Sequence, residues 1–324
     1  MISLRFATGC SFLSRMSSKM KIQKAMKKQN DADLVLTGKV IASEARNLNL
    51  VFSSLNSVLT MAAPSSASQE RKAVFKETAI VAFADGKAKG GPKITAINGV
   101  WVEQSLPIDH SETDTVYGNA LYFKGAWADK FSKSETRDRD FNLLKGTSVS
   151  LPFMSSSRRQ YVKRFDGFKV LKLPFKQGLD INRSFSMYLY LPDEKDGSDN
   201  LVKKMTSTPG FLDNHNPTCR VTLDDFAIPK FKISFGFETG ADPLEDEWGH
   251  LTPQKTYALY HKACVEIDEE GAEAVAASFC IPRCRDTRKR VDFVADHPFL
   301  FLIREDTTGT VLFVGQIFDP SQSS

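Results

Sequence analysis

EEGAEAVAASFCIPRCRDTRKR, residues Glu269 to Arg290, lies between runs that have the composition of buried strands. Upstream is Tyr257 to Ile267, YALYHKACVEI; downstream are Val291 to Phe293, His297 to Ile303 (HPFLFLI) and Thr310 to Ile317 (TVLFVGQI). The stretch between them starts acidic, becomes small and Ala-rich, and ends basic, with Arg283, Arg285, Arg288, Lys289 and Arg290 against the single acid Asp286. A segment of this kind, tied to strands at both ends, is an exposed loop or a strand without a place in a sheet. Propensity alone also allows a surface helix over Glu269 to Ser278, because Ala and Glu are good helix formers.

The flanks favour the loop. HKACVEIDEEGAEAVAAS (261–278) followed by VDFVADHPFLFLIREDTTGTVLFVGQIFDP (291–320) resembles the C-terminal third of a serpin, closest in wording to the plant serpins. Further matching segments come in the family's order: LNLVFSSL (48–55), ADGKAKGGPKITAINGVWVEQSL (84–106), GNALYFKGAW (118–127), RQYVKRFDGFKVLKLPF (159–175), SMYLYLPDE (186–194) and IPKFKISFGF (228–237). The resemblance implies one α+β domain over residues 30–320 after a basic tail at 1–29. It also implies a large insertion sheet, a second sheet ending in a C-terminal hairpin, surrounding helices and an exposed reactive loop at 269–290.

In the serpin pattern the hinge glycine lies fourteen residues before the cleaved bond. Counting from Gly271 lands on Arg285, so the resemblance places the reactive bond at Arg285–Asp286. Arg is what a trypsin-like serine protease, or an Arg-specific cysteine protease, takes into its specificity pocket. The hinge is Glu269, Glu270, Gly271, Ala272, Glu273, Ala274, Val275, Ala276, Ala277 and Ser278. Laid out as a strand, Ala272, Ala274, Ala276 and Ser278 share one uniformly small face, and Glu273, Val275 and Ala277 share the other. Fourteen inserted residues at roughly 3.3 Å each would carry an acylated protease about 45 Å. The resemblance sets the insertion gap between Val116–Phe123 and Tyr257–Ile267, with Ser53, Asn119 and His261 controlling its opening.

The 324 residues, 41% hydrophobic and 25% charged, are those of an ordinary globular chain with a full core. A net charge of +4 without any nucleic-acid-binding motif argues against a nucleic-acid partner. Five cysteines, an odd number, give no disulfide framework and favour a reducing compartment. The first thirty residues carry seven Lys or Arg and no acid, which fits an organelle transit peptide or a frayed basic tail; the family is cytoplasmic or extracellular. There is no long apolar run, so no membrane span is expected, and the chain is expected to be a monomer.

Hydrophobic periodicity predicts helices over Asp31–Arg46, Leu55–Ala63, Ser68–Phe83 and Asp199–Met205. Strands are predicted at Leu48–Ser53, Ile94–Val102, Val116–Phe123, Tyr161–Arg164, Lys169–Leu173, Ser186–Leu191, Arg220–Leu223 and Phe231–Phe237, and Glu305–Gly309 is a hairpin turn. Enzyme motifs are missing: there is no nucleophile elbow, phosphate loop, dinucleotide fingerprint or zinc-protease helix, so no catalytic residue, metal or cofactor is expected. His261 and Cys264 fall on opposite faces of a strand, and Cys280 and Cys284 lack further ligands and read as free thiols.

The chain departs from the serpin pattern in four places. Between Ile108 and Val116 an edge strand and two helices are missing, one of which would lie across the insertion sheet; this exposes a sheet edge and should uncover an apolar face. FSSLNSVL (52–59) shortens a longer family motif, and the link from Gly236 to Tyr257 is short. Pro282 brings no N–H to an inserted strand. Asp286 also puts a carboxylate beside the developing oxyanion. Two functions therefore stand side by side: an Arg-directed inhibitor that traps its protease by loop insertion, and a non-inhibitory serpin-fold protein that is cleaved as a substrate or acts as a binding protein.

Overall fold

A computed structural model describes residues 23–35, 37–38, 41, 50–53, 81–102, 115–239, 257–269 and 291–322. Helix α1, described at residues 23–35, 37–38 and 41, buries Met26 and Leu34, and its described part already includes the eight residues before the predicted start at Asp31. The predicted helix at Leu55–Ala63 lies outside the described residues, as does most of the one at Ser68–Phe83.

The centre of the molecule is a seven-stranded sheet. It contains β1 (Leu50–Ser53), β6 (Gln160–Phe165), β7 (Phe168–Pro174), β8 (Phe185–Pro192), β9 (Arg220–Val221), β14 (Phe299–Glu305) and β15 (Val311–Ile317), in the order β1-β15-β14-β8-β7-β6-β9. Strands β8, β14 and β15 are buried at every position, which is why they read as unbroken apolar runs. Alternation sorts their side chains between two cores. Met187, Leu189, Phe299, Phe301 and Phe313 face the other sheets. Tyr188, Tyr190, Leu300 and Leu302 face α1 and the helices α2 (Ser198–Ser207) and α3 (Phe211–Asn214).

The C-terminal hairpin lies inside this sheet, with β1 as its outer neighbour, and does not end it. Its turn is closed by the buried Glu305, whose carboxylate accepts from the amides of Thr307 and Thr308 and from the Thr308 hydroxyl. Gly309 takes the left-handed conformation, at φ 82°.

A second sheet joins β4 (Arg137–Asn142), β5 (Ser148–Ser155), β10 (Phe226–Pro229) and β13 (Phe293–Val294) in the order β13-β10-β5-β4. The sequence reading missed β4, β5 and β10. β4 is RDRDFN, charged on both faces at its start, and β5 carries Pro152; neither gives a clean period-2 signal.

The expected insertion sheet is the third, β11-β12-β3-β2, made of β2 (Lys93–Val102), β3 (Thr115–Lys124), β11 (Phe231–Thr239) and β12 (Tyr257–Ile267). Among the described residues it has four strands against seven in the central sheet, with β2 at one edge. Its inner face, Ile94, Leu121, Phe123, Ile233, Ala263 and Val265, belongs to the main core. The outer face differs from the expectation. Where its side chains are described it carries Lys93, Thr95, Lys124, Lys232 and Lys262, all exposed, and is cationic instead of apolar. The alternation that buries one face leaves these polar positions on the other.

Candidate functional site

The described chain runs two residues past β12 to Glu269 and resumes at Val291, two residues before β13, so these two ends bracket the basic stretch 270–290, which lies outside the described residues. At the proximal end, Trp127 Nε1 donates to the Asp268 carbonyl at 2.8 Å. That indole is held by stacking on Phe175 (4.6 Å between centroids, 11° between planes) and by an edge contact with Phe131. The packing explains Gly125: a Cβ there would lie 2.6 Å from the Phe175 ring and 2.8 Å from that of Phe123.

One residue on, Glu269 is only 5% exposed. Thr136 Oγ1 donates to its Oε1 at 2.7 Å, and Lys230 Nζ lies 2.7 Å from its Oε2. Burial opposes ionisation of this carboxyl most strongly, but the bonds from Lys230 and Thr136 and the Lys230 charge together outweigh it and hold the group below the usual carboxylate range.

The distal end is fixed on the second sheet. The Asp224 amide donates to the Val291 carbonyl at 3.3 Å, the Asp225 amide to Asp292 Oδ1 at 3.0 Å, and Lys169 Nζ to the Asp292 carbonyl at 3.2 Å. β13 then runs parallel to β10, Phe293 opposite Phe226. Arg139 grips the Asp225 carboxylate through both oxygens, at 2.8 and 3.0 Å, and that hydrogen bonding is the main reason the carboxyl sits below its usual range. A cavity of about 360 Å³ opens beside these anchors, with Arg137, Arg139, Ser156 and Asp224 in its wall.

Next to the proximal end is the seam of the third sheet. β12 pairs with β3 in parallel over nine residue pairs, Tyr257↔Thr115 to Val265↔Phe123, whereas β3 with β2 and β12 with β11 are antiparallel. Asn119 and His261 are register partners, in one row with Asn98 and Phe237. Ser53 ends β1, opposite Phe313, and β1 passes against β11 and β12.

Of the site residues expected from sequence, the backbone brings Asn119 and His261 together and places Ser53 on the strand lying against that seam. Glu269 is the one hinge residue within the described part. Glu270 to Ser278, Arg285 and Asp286 lie outside it, as do Cys280 and Cys284. Cysteine chemistry needs one correction: Cys219 is disulfide-bonded, with its partner outside the described residues, while Cys264 is a free thiol. An odd cysteine count excludes complete pairing but not a single bridge. Sequence reasoning also missed Lys230, Thr136, Trp127, Asp225 and Arg139 as anchors, since none lies near the loop in the chain. Among the described residues no cluster of His, Cys, Asp or Glu could hold a metal, and no helix is long and apolar enough to cross a membrane.

Three sheets, with a loop anchored where one parallel seam ends, define the fold class of the loop-bearing serine protease inhibitors. The family model described as serpin (serine protease inhibitor) matches residues 101–246 and 249–320, and the chain belongs to the serpin family. It is 46% identical to Serpin-Z2 of Arabidopsis thaliana over 389 positions, covering 96% of this chain and 94% of the relative. It is 45% identical to the probable non-inhibitory serpin-Z5 of the same plant, with 94% of this chain and 86% of the relative covered. The solved structure of Arabidopsis AtSerpin1 in a native stressed conformation superposes with a TM-score of 0.78 at 35% identity, covering 93% of this chain and 99% of that one. The match to Serpin-Z2 spans more positions than the 324 residues present here, so segments of that relative have no counterpart in this chain.

Proposed function

We propose that this serpin is an inhibitor of Arg-specific serine proteases that offers Arg285–Asp286 as a substrate bond and traps the acyl-enzyme by inserting residues 271–284 between β3 and β12. The observation that carries this reading is the parallel seam. A strand that turns back directly after β12 runs antiparallel to it, and because β3 is parallel to β12, it runs antiparallel to β3 as well. Insertion therefore replaces one parallel ladder by two antiparallel ones, the more stable pairing. At about 1 kcal/mol net per main-chain hydrogen bond, roughly ten new bonds supply the drive, and the bond forgone at Pro282 does not abolish it. Asn119 and His261, at mid-seam, are the residues assigned to holding it shut, with Ser53 behind them.

A specific observation favours a second reading. Among the described residues the third sheet has four strands with β2 at its edge, and a relative of comparable identity is named probable non-inhibitory. A serpin with less sheet to strain would be cleaved at the same bond without trapping.

One titration separates the two. The protein is mixed with catalytic, then equimolar, amounts of an Arg-specific serine protease and resolved under denaturing conditions. A covalent complex that disappears with Arg285→Ala is the expected result. Complete cleavage after Arg285 with no complex, and no rise in melting temperature on cleavage, would establish the substrate reading. First cuts confined to the N-terminal tail would remove the bait assignment itself.

A further inference from the structure

The outer face of the third sheet carries more charge than its fold requires. Across the strands, Lys93 pairs with Lys124, the next position along the seam sets Glu266 beside Lys124, and Glu266 pairs with Lys232. That row has three ammonium groups and one carboxylate, and Glu266 is already committed to Lys232 at 3.7 Å. The row above it is Thr95, Tyr122, Cys264 and Ser234, and the next places Lys262 beside Ala120. Lys124 and Lys262 make no ion pair with any carboxylate among the described residues; Lys93 makes none in contact either, and only the Asp85 carboxylate, at a longer range, is drawn to its charge.

Lys93 directly opposite Lys124 is a like-charge cross-strand pair, an arrangement that costs stability unless something answers it. The Lys93 ammonium leans over the Tyr122 ring at 5.6 Å, which offsets part of that cost. The face is thus banded. A strip of Thr95, Tyr122, the half-exposed Cys264 and Ser234 lies between lysines, with the row of Lys93 and Lys124 about 13 Å, or four residues, along the strands from the row of Lys262 and Ala120.

We propose that this face binds an acidic amphipathic helix of a partner protein. Charge complementarity names the occupant. A helix is about 10–12 Å across with its side chains, which matches the gap between the two lysine rows. Its apolar stripe covers Tyr122 and Cys264, and carboxylates along its two flanks reach the lysines. Sheets bury an open face against helices in layered folds, and here no described helix lies on that side. Lysine, a point charge on a flexible stem, suits carboxylates at varied positions better than one fixed planar group. The site lies across the seam between β3 and β12, so it belongs to the uncleaved protein, and insertion of a strand into that seam would part its two halves.

The probe is a fluorescein-labelled helix-forming peptide with Leu on one stripe and Glu on both flanks, titrated with the full chain by anisotropy at low and at physiological salt. Saturable binding that weakens with salt is expected. Lys93→Glu combined with Lys124→Glu should weaken it about tenfold or more, and Lys145→Glu, exposed in the turn between β4 and β5, should leave it unchanged. Lys93→Gln with Lys124→Gln, checked by circular dichroism for an unchanged fold, should give an intermediate loss. Absence of saturable binding would overturn the proposal, as would equal loss with Lys145→Glu. Dextran sulfate competing more tightly than the peptide, through the same lysines, would overturn it in favour of a polyanion. Sedimentation showing a dimer that those substitutions dissolve would overturn it in favour of a second copy of the chain.

Discussion

Glu269 and Lys230 meet at 2.7 Å two residues past the end of β12, and the carboxylate is nearly sealed from solvent while the ammonium stays about a third exposed. The asymmetry decides which partner matters more. Lys230 lies at the junction of β10 and β11, so one ion pair joins the loop's first residue to the connection between the second and third sheets. Lys230→Ala leaves a buried carboxylate with Thr136 and its own backbone amide but no cation to satisfy it, which costs about 1–3 kcal/mol. The expected outcome is a lower melting temperature and faster proteolysis at residues 270–290, with cuts elsewhere unchanged. Glu269→Gln should cost less, since it removes the buried charge together with the pair. Equal losses for the two variants would contradict this account.

Acid should loosen both ends of the loop. Glu269 and Asp225 are held below the ordinary carboxylate range in the folded protein. A depressed carboxyl contributes stability that is fully present above its unfolded pKa, about 4, and is lost as pH falls through the lowered folded value. Neutral to mildly acidic pH should therefore leave the anchors intact, and opening should begin only below about pH 4. Hydrogen exchange at Phe226, Asp292 and Phe293, followed from pH 6 to pH 3, tests the distal end. With Arg139→Ala the opening should move to higher pH.

The central strands were legible in the sequence because they are buried on both faces. SMYLYL, HPFLFLI and TVLFVGQI have no polar alternation to mislead, and the observed strand ends lie within two residues of the predicted limits. RDRDFN and SVSLPFMS were not legible, because their strand character comes from pairing with each other and with β10. The same holds at the site. Glu269 stood out through its motif, but its value depends on Lys230 and Thr136, which come from other sheets and carry no local signal. The cationic outer face could be read only once the register had set Lys93 opposite Lys124.

Trp127 tests the proximal anchor from the other side. Its indole N–H is committed to the Asp268 carbonyl while its ring fills the stack with Phe175. Trp127→Phe keeps most of the apolar contact and removes the bond, so a loss of about 1 kcal/mol, together with greater loop susceptibility, is expected. Gly125→Ala should be worse, since the added methyl meets two ring edges that the core cannot easily move. Thermal unfolding of both variants, with glycine restored as the reference, checks the order.

The seam itself can be locked. Ala120 and Lys262 are register partners across β3 and β12, with Lys262 exposed on the outer face, and neighbouring strands bring α-carbons within the span that a disulfide bridges. A variant with Ala120→Cys and Lys262→Cys, oxidised, would close the seam covalently and leave the loop uncut and its anchors in place. If cleavage after Arg285 drives insertion, the unlocked protein gains melting temperature on cleavage, because the inserted strand adds two antiparallel ladders. The locked protein should be cleaved at the same bond without that gain, and should turn from inhibitor to substrate. A dithiol added before the protease, at a dose shown by peptide mapping to leave the Cys219 bridge intact, should restore both the gain and the covalent complex. Equal gains in locked and unlocked protein would mean that the cleaved segment does not enter between β3 and β12, and the trapping reading would fall with that result.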